Sequence, residues 1–214
     1  MRIFIGYDPR QPVALQVLMR SIYDKSTKPV SITPLVLSTL PITRVGLTEF
    51  TYSRYLCPFL CGYWGWSLFL DADMLLLDDI QELFALTDDA YAVMVVKNPK
   101  LRFEWPSLML FNNAKCGQLT PEYVDDLTVH PQAFEWGTVG ELPAEWNHCI
   151  GYDEPKDAKL VHYTQGIPCF KETADSEYKQ EWSDALKMCN ATVSWTEIMG
   201  NSVHAKHVLA RKTA

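Results

Sequence analysis

The segment Trp66-Ser67-Leu68-Phe69-Leu70 is strand-sized, apolar apart from one serine, and stops at Asp71-Ala72-Asp73 before apolar residues resume over Met74–Leu77. A run this short, bounded by carboxylates, reads as a buried strand of an α/β sheet. Ligands of open α/β sheets bind at the carboxyl ends of the strands, which is where these two acids sit. A spacing of two directs both side chains to one side of an extended chain, or around a tight turn. Two carboxylates aimed at one point repel unless positive charge lies between them. A hard divalent cation such as Mn²⁺ or Mg²⁺, itself bridging to phosphate oxygens, meets that requirement. The plainer reading is a strand-end Asp that caps a turn or a helix, and a DxD string by itself is common.

The surroundings support a strand in that place. Arg2–Tyr7 alternates and runs into a turn at Gly6-Tyr7-Asp8-Pro9, and from Pro12 onward Val13, Val17, Leu18 and Ile22 recur at helical spacing. Pro12 suits an early helical position, where its missing N–H costs little. Val30–Leu37 reads as a second strand, and Pro34 within it favours an edge or a bulge. Strand, helix, strand is the opening of an α/β domain with parallel pairing. Further along, Ser53–Tyr63 is expected to be helical with a kink or late start at Pro58, Asp79–Leu86 a short helix and Ala90–Val96 a strand. Ser107–Phe111 is apolar again, Lys159–Tyr163 is a late strand, and Asp175–Cys189 is a polar helix with Tyr178, Trp182, Leu186 and Met188 as its sparse apolar face. Residues 40–51 and 130–147 show little periodicity.

Composition narrows the classes. The chain has 214 residues, 48% of them hydrophobic and 21% charged, enough for a sizeable core and not a disordered segment. Its net charge of −7 argues against broad, sequence-independent binding of nucleic acid, although a local patch could still hold phosphates. No apolar run approaches the roughly 18 residues of a membrane span, and the start Met1-Arg2-Ile3-Phe4-Ile5 reads as a first strand rather than a signal peptide. The expectation is a cytoplasmic protein, soluble or peripheral to a membrane. The six cysteines, at 57, 61, 116, 149, 169 and 189, form no CxxC pair. Cys57 and Cys61 could share a helix face, but no second pair completes a zinc site, so reduced and mostly buried thiols are expected.

A second signal is Leu160-Val161-His162-Tyr163-Thr164-Gln165-Gly166-Ile167-Pro168. A His at the end of a late strand can offer a neutral imidazole to a metal. Backbone N–H groups of a turn containing Gly166 can approach a diphosphate closely. A lone His in a loop is more often a surface or capping residue, and only the pairing with Asp71 and Asp73 raises this one above that. Phosphatases and phosphotransferases of the haloacid dehalogenase type also place Asp-x-Asp after an apolar strand. They normally carry a Thr two residues past the second Asp, where this chain has Leu75, and they carry the motif near the N-terminus.

The order of these segments resembles a known group. Ile5-Gly6-Tyr7-Asp8, Ser53-Arg54-Tyr55, Phe69-Leu70-Asp71-Ala72-Asp73, Ser107-Leu108-Met109-Leu110-Phe111-Asn112, Leu142-Pro143-Ala144-Glu145-Trp146-Asn147 and His162-Tyr163-Thr164-Gln165-Gly166 are similar to metal-dependent glycosyltransferases of the GT-A fold. Within that fold the chain looks most like the retaining glycogenin and lipopolysaccharide-galactosyltransferase group. The resemblance implies a mixed, mainly parallel central sheet flanked by helices, as one domain over residues 1–214. A nucleotide-binding half would cover about 1–98, an acceptor half with the metal His about 99–175, and a C-terminal helix and tail 176–214.

The resemblance also implies roles. Asp71, Asp73 and His162 would hold Mn²⁺ or Mg²⁺. Gly6, Tyr7 and Asp8 would line the base and ribose pocket, Arg54 would contact the nucleotide, Ala72 would lie near the ribose or donor sugar, and Ser107 and Asn147 would face the sugar or the acceptor. The co-substrate would be a nucleotide sugar, with UDP as the default, and the acceptor a saccharide, lipid-linked or other hydroxyl. The chain departs from the group in three places. Ile167 stands near the position of the group's Lys after the His, Ile167-Pro168-Cys169 replaces Lys-Pro-Trp or Gly-Pro-Trp, and no Asp-Gln occurs between 130 and 147. Phe170 could replace the aromatic wall, Glu135 or Glu141 could stand in for the carboxylate, and Arg10, Arg54 or Lys97 could help to neutralise a diphosphate. A phosphoryl-transfer enzyme and an inactive nucleotide-sugar binding module remain the alternatives. Trp105, Trp136 and Trp146 are candidates either for sugar stacking or for the core. The basic cluster from His204 to Lys212 reads as a solvated tail or a contact for an acidic surface.

Overall fold

The computed structural model describes residues 1–100, 102–130, 134–154 and 157–189, so the basic cluster from His204 to Lys212 lies outside the described residues. In chain order the strands and α-helices are β1 (Arg2–Gly6), α1 (Pro12–Lys25), β2 (Ser31–Leu35), α2 (Phe50–Ser53), α3 (Cys57–Leu60), β3 (Trp66–Leu70), β4 (Met74–Leu76) and α4 (Ile80–Phe84). There follow β5 (Val93–Val95), β6 (Leu108–Asn112), α5 (Pro121–Asp125), β7 (Val139–Glu141), β8 (His148–Cys149), β9 (Leu160–His162) and α6 (Lys179–Cys189).

Six strands form a central sheet in the order β2-β1-β3-β6-β5-β7. Only β6 runs against the others: it is antiparallel to β3 and β5, while β1 pairs with β2 and β3, and β5 with β7, in parallel. The sheet is therefore mixed and mainly parallel. Its layering follows from period-two alternation. Ile3, Ile5, Leu68, Leu70, Leu108 and Leu110 face one core, which α1 closes with Val17, Leu18 and Ile22 and α6 with Trp182. Phe4, Phe69, Met109 and Phe111 face the other, closed by Phe50, Tyr55 and Leu56 around α2 and by Val124 of α5. Leu68, fully buried at the centre of β3, contributes about 1.5–3 kcal/mol by leaving water.

Local chemistry explains the element ends. Pro34 is tolerated because β2 is the outer strand of the sheet. Asp79 caps α4, its side chain accepting from the Gln81 N–H. Pro58 lies in the first turn of α3, so the helix expected over Ser53–Tyr63 is instead two short α-turns joined by a 3₁₀ turn, and it begins earlier, at Phe50. β7 arises in the aperiodic stretch and β8 just after it, as strands of three and two residues too short to show a period.

A second, three-stranded sheet, β4-β9-β8, sets the chemistry. β9 is antiparallel to β4, with Met74 opposite His162, Leu75 opposite Val161 and Leu76 opposite Leu160. Leu75 is thereby core, at the position where a dehalogenase-type phosphatase would carry its Thr.

At the carboxyl end of β1, Gly6 has the Phe50 side chain against its Cα: an added Cβ would stand 2.4 Å from the ring. Gly6→Ala is therefore expected to overpack this contact and cost about 1–3 kcal/mol. In a double-mutant cycle read by chemical denaturation, Gly6→Ala with Phe50→Ala should cost at least about 0.5 kcal/mol less than the sum of the two single changes.

Candidate active site

β3 ends at Leu70, and the backbone immediately after it is tied on both sides. The Asp71 N–H donates to the Ser107 carbonyl at 2.9 Å, which fastens it to the chain entering β6. The Tyr163 N–H donates to the Asp73 carbonyl at 2.9 Å, which continues the β4–β9 ladder past His162. Asp71, Asp73 and the end of β9 are thus fixed relative to one another by main-chain bonds. The result is a cluster: one ligand atom each from Asp71, Asp73 and His162 lie within 4.8 Å of one another.

Charge is managed within the cluster. At 4.8 Å and an effective dielectric near 20, two carboxylates repel by roughly 3 kcal/mol. Arg54 answers Asp71, with Nη2 at 3.1 Å from Oδ1. The guanidinium is held there by donating from Nη1 to the Pro106 carbonyl at 2.8 Å and from Nε to the Phe50 carbonyl at 3.3 Å, and it lies over the ring of Phe69. His162 Nε2 stands 3.5 Å from Asp73 Oδ1. Burial acts to push the imidazole's pKa down, but the charge and hydrogen bond of Asp73, with Cys149 and Asp71 adding to them, hold it well above its ordinary value. The metal-free cluster therefore approaches neutrality, two carboxylates against a guanidinium and an imidazolium.

The donor set fits a divalent cation. Two hard carboxylates with one imidazole suit Mn²⁺ or Mg²⁺ better than a soft metal. Asp73 Oδ1 is buried, with the His162 imidazole 3.5 Å away as its charge partner, and a cation between the ligands would answer it more closely.

These groups lie on the wall of a cavity of about 1200 Å³. Arg54, Ser107, Trp105 and Trp136 line it as well. Burial pushes the pKa of Tyr55, another wall residue, up to about 12, so its phenol stays protonated. Of the two carboxylates considered as stand-ins for Asp-Gln, Glu135 is on the wall and Glu141 is not. Trp146 is core, 1% exposed, with the Lys159 ammonium over its ring.

The other sequence candidates stand off the described wall. Gly6 is packed under Phe50. Tyr7 donates its N–H to the Leu35 carbonyl, and Asp8 is buried and grips Arg10, whose Nη2 also reaches the Leu47 carbonyl. That hydrogen bond from Arg10 keeps the Asp8 carboxyl below the usual range, and it occupies the guanidinium that could have met a diphosphate. Ala72 is buried, between the two ligands in sequence. Asn147 lies one layer back, donating from Nδ2 to Ser107 Oγ at 2.9 Å. Gly166 adopts φ +117°, open to glycine, with the Phe170 ring where a Cβ would go.

Several wall residues carried no signal in the sequence. Thr48, Phe50 and Phe134 come from segments without periodicity, Tyr152 follows the second of them, and only their place on the same cavity wall as Asp71 and Asp73 marks them. Four of the cysteines, 57, 61, 116 and 149, are buried free thiols, as their spacing suggested, while Cys169 is exposed and Cys189 half-buried.

Protein CDI of Arabidopsis thaliana is 37% identical to this chain over 227 residues, covering 88% of the chain and 87% of its own length. The chain belongs to the Protein CDI family. No protein-family model matches the sequence. Among solved structures, the glycosyltransferase GlyE of Streptococcus pneumoniae TIGR4 superposes on this family member with a TM-score of 0.65 at 15% identity, over 99% of the chain and 63% of GlyE. The galactosyltransferase LgtC, solved with donor and acceptor sugar analogues, gives 0.61 at 11% identity, over 92% of the chain and 99% of LgtC. The bifunctional glycosyltransferase WbbM gives 0.62 at 15% identity, and the chain spans 52% of its length. The fold is the GT-A glycosyltransferase fold. No helix among the described residues is long and apolar enough to cross a membrane.

Removing the guanidinium should expose the repulsion that it offsets. Arg54→Gln is expected to destabilise the metal-free protein by about 3 kcal/mol, since it leaves the carboxylate of Asp71 buried without its cation. Melting in EDTA measures this, and Mn²⁺ should restore part of the lost stability.

Proposed function

We propose that this chain is a metal-dependent glycosyltransferase that takes a sugar from a nucleotide-sugar donor, with UDP as nucleotide, and passes it to a hydroxyl acceptor. The observation that carries the reading is the convergence of Asp71, Asp73 and His162 within 4.8 Å on the wall of a cavity in a GT-A fold. The cavity volume, about 1200 Å³, exceeds the usual range for a single small ligand and suits a nucleotide sugar together with part of an acceptor.

Asp71, Asp73 and His162 would hold Mn²⁺ or Mg²⁺, and the bound ion would act as a Lewis acid on the departing diphosphate. The chain's own groups do the rest. Arg54, fixed by three acceptors, presents a preorganised positive charge to the same side of the cavity and needs no reorganisation as negative charge grows on the leaving oxygens. Ser107, whose hydroxyl accepts from Asn147, lines the cavity where a sugar or acceptor hydroxyl would stand. Trp105 and Trp136 give the wall apolar faces for a sugar ring. The described wall carries Glu135 as its third carboxylate, and no nucleophile–base pair of side chains stands out on it. That pattern agrees with a retaining reaction on one face, in which a phosphate oxygen of the leaving group takes the acceptor's proton.

The test separates binding from chemistry. UDP with Mn²⁺ should raise the melting temperature by several degrees, UDP with EDTA should not, and Asp73→Asn should remove both the shift and any turnover of nucleotide sugars. Equal stabilisation by UDP in EDTA sinks the metal-bridged reading. Phosphate release from generic phosphoesters without a sugar acceptor would transfer the site to phosphoryl chemistry, and nucleotide binding without turnover across a nucleotide-sugar panel would make the chain a binding module.

A further inference from the structure

Behind His162 lies a buried thiol that the site as described does not use. Cys149 pairs with His162 across the parallel β8–β9 ladder, and its Sγ stands 3.9 Å from His162 Nδ1. The same sulfur is 3.6 Å from the Asn147 carbonyl and 3.9 Å from its Oδ1. Asn147 in turn donates from Nδ2 to Ser107 Oγ, and the Ser107 carbonyl accepts from the Asp71 N–H. A thiol has one hydrogen to give. The two oxygens of Asn147 can take that hydrogen, and a sulfur lone pair would then face His162 Nδ1.

We infer that Cys149 is a positioning residue for the metal site: its Sγ accepts the Nδ1–H of His162, which turns Nε2 toward Asp71 and Asp73 and presents it as the ligand atom. This deepens the proposed function and rests on it. The ring nitrogen facing Asp73 is Nε2, as the assignment requires. Metal-binding histidines commonly give their second N–H to a carboxylate or a carbonyl, and loss of that partner costs about 10–100-fold in metal affinity. A thiol in that role has a physical reason here. Cys149 is 2% exposed, and a third carboxylate would add a buried negative charge behind two that already repel. The sulfur orients the ring without adding charge. The bond also ties the ligand to the cavity wall, because the path Cys149–Asn147–Ser107 ends at a hydroxyl that lines it.

The test uses the full chain with Mn²⁺ alone. Calorimetric titration should show that Cys149→Ala weakens Mn²⁺ binding by about 10–100-fold, while Cys149→Ser, which keeps an acceptor, recovers most of the affinity. Side-chain NMR of the metal-free protein, with ¹⁵N-labelled histidine, supplies a readout that a mere packing defect would not move. The Nδ1 proton of His162 should be observable and slow to exchange in the wild type and the serine variant, and lost in the alanine variant. If Cys149→Ala binds Mn²⁺ as the wild type does, while Asp73→Asn abolishes binding, the role of Cys149 is overturned and the metal site stands. If the wild type binds no Mn²⁺, both fall. Equal weakening in the serine and alanine variants with an unchanged His162 signal assigns the effect to packing and overturns the inference.

Discussion

Acidic side chains that converge on one point repel, and β3 delivers two of them at its buried end. What keeps them together is the antiparallel pairing of β4 with β9. The strand that follows Asp73 is zipped to the strand that ends in His162, with Met74 opposite His162 and the Tyr163 N–H on the Asp73 carbonyl. Slipping this pairing by one residue would turn His162 to the other face and leave two carboxylates with no imidazole. Leu75, Leu76, Leu160 and Val161 are all buried in the same core, so the register is set by the hydrophobic pattern and the site inherits it. Burial holds the geometry, and the geometry sets the chemistry.

The same logic explains why Arg54 lies where it does. Its helical segment is short and broken by Pro58, yet its guanidinium is anchored at two backbone carbonyls and over Phe69 before it reaches Asp71. Rigid positive charge next to one carboxylate, and an imidazole next to the other, allow the chain to fold with the cluster buried. On the proposed reading, Asp71, Asp73 and His162 would thus be in place to hold a cation in exchange for the imidazole's proton.

Much of this was legible in the sequence because it depends on local pattern. The apolar run before Asp71, the alternation of β1 and the helical face of α1 are short-range signals, and each element formed where its residues indicated. The antiparallel sense of β6 was not legible, since the apolar run Ser107–Phe111 says nothing of direction. β8 was hidden for another reason: two residues cannot show a period, and His148-Cys149 became a strand only because β9 lies beside it. The cluster of Asp71, Asp73 and His162 was inferable from residue types at strand ends. Arg10 shows the limit of such reasoning, because a basic residue near the expected nucleotide pocket turned back onto Asp8, two positions away. Sequence places a charge near a site but does not reveal which partner reaches it first.

That internal pairing bears on metal dependence. Arg54 is the one Arg or Lys among the described residues on the cavity wall, since Arg10 is engaged by Asp8 and Lys97 does not line it. A nucleoside diphosphate sugar carries about two negative charges, and Asp71 and Asp73 add two more. With Arg54 and the protonated His162 to answer them, the site would hold a net charge of about −2, and about −3 once His162 gives up its proton to act as a ligand, in surroundings where each unpaired charge costs several kcal/mol. A divalent cation lowers that to about −1, within reach of the cavity's dipoles and hydroxyls. Enzymes with a lysine after the metal-binding histidine have a further cation for this task. In this chain Ile167, 1% exposed and part of the core, stands near that position, so on the proposed reading the ion would carry the larger share of the diphosphate's charge.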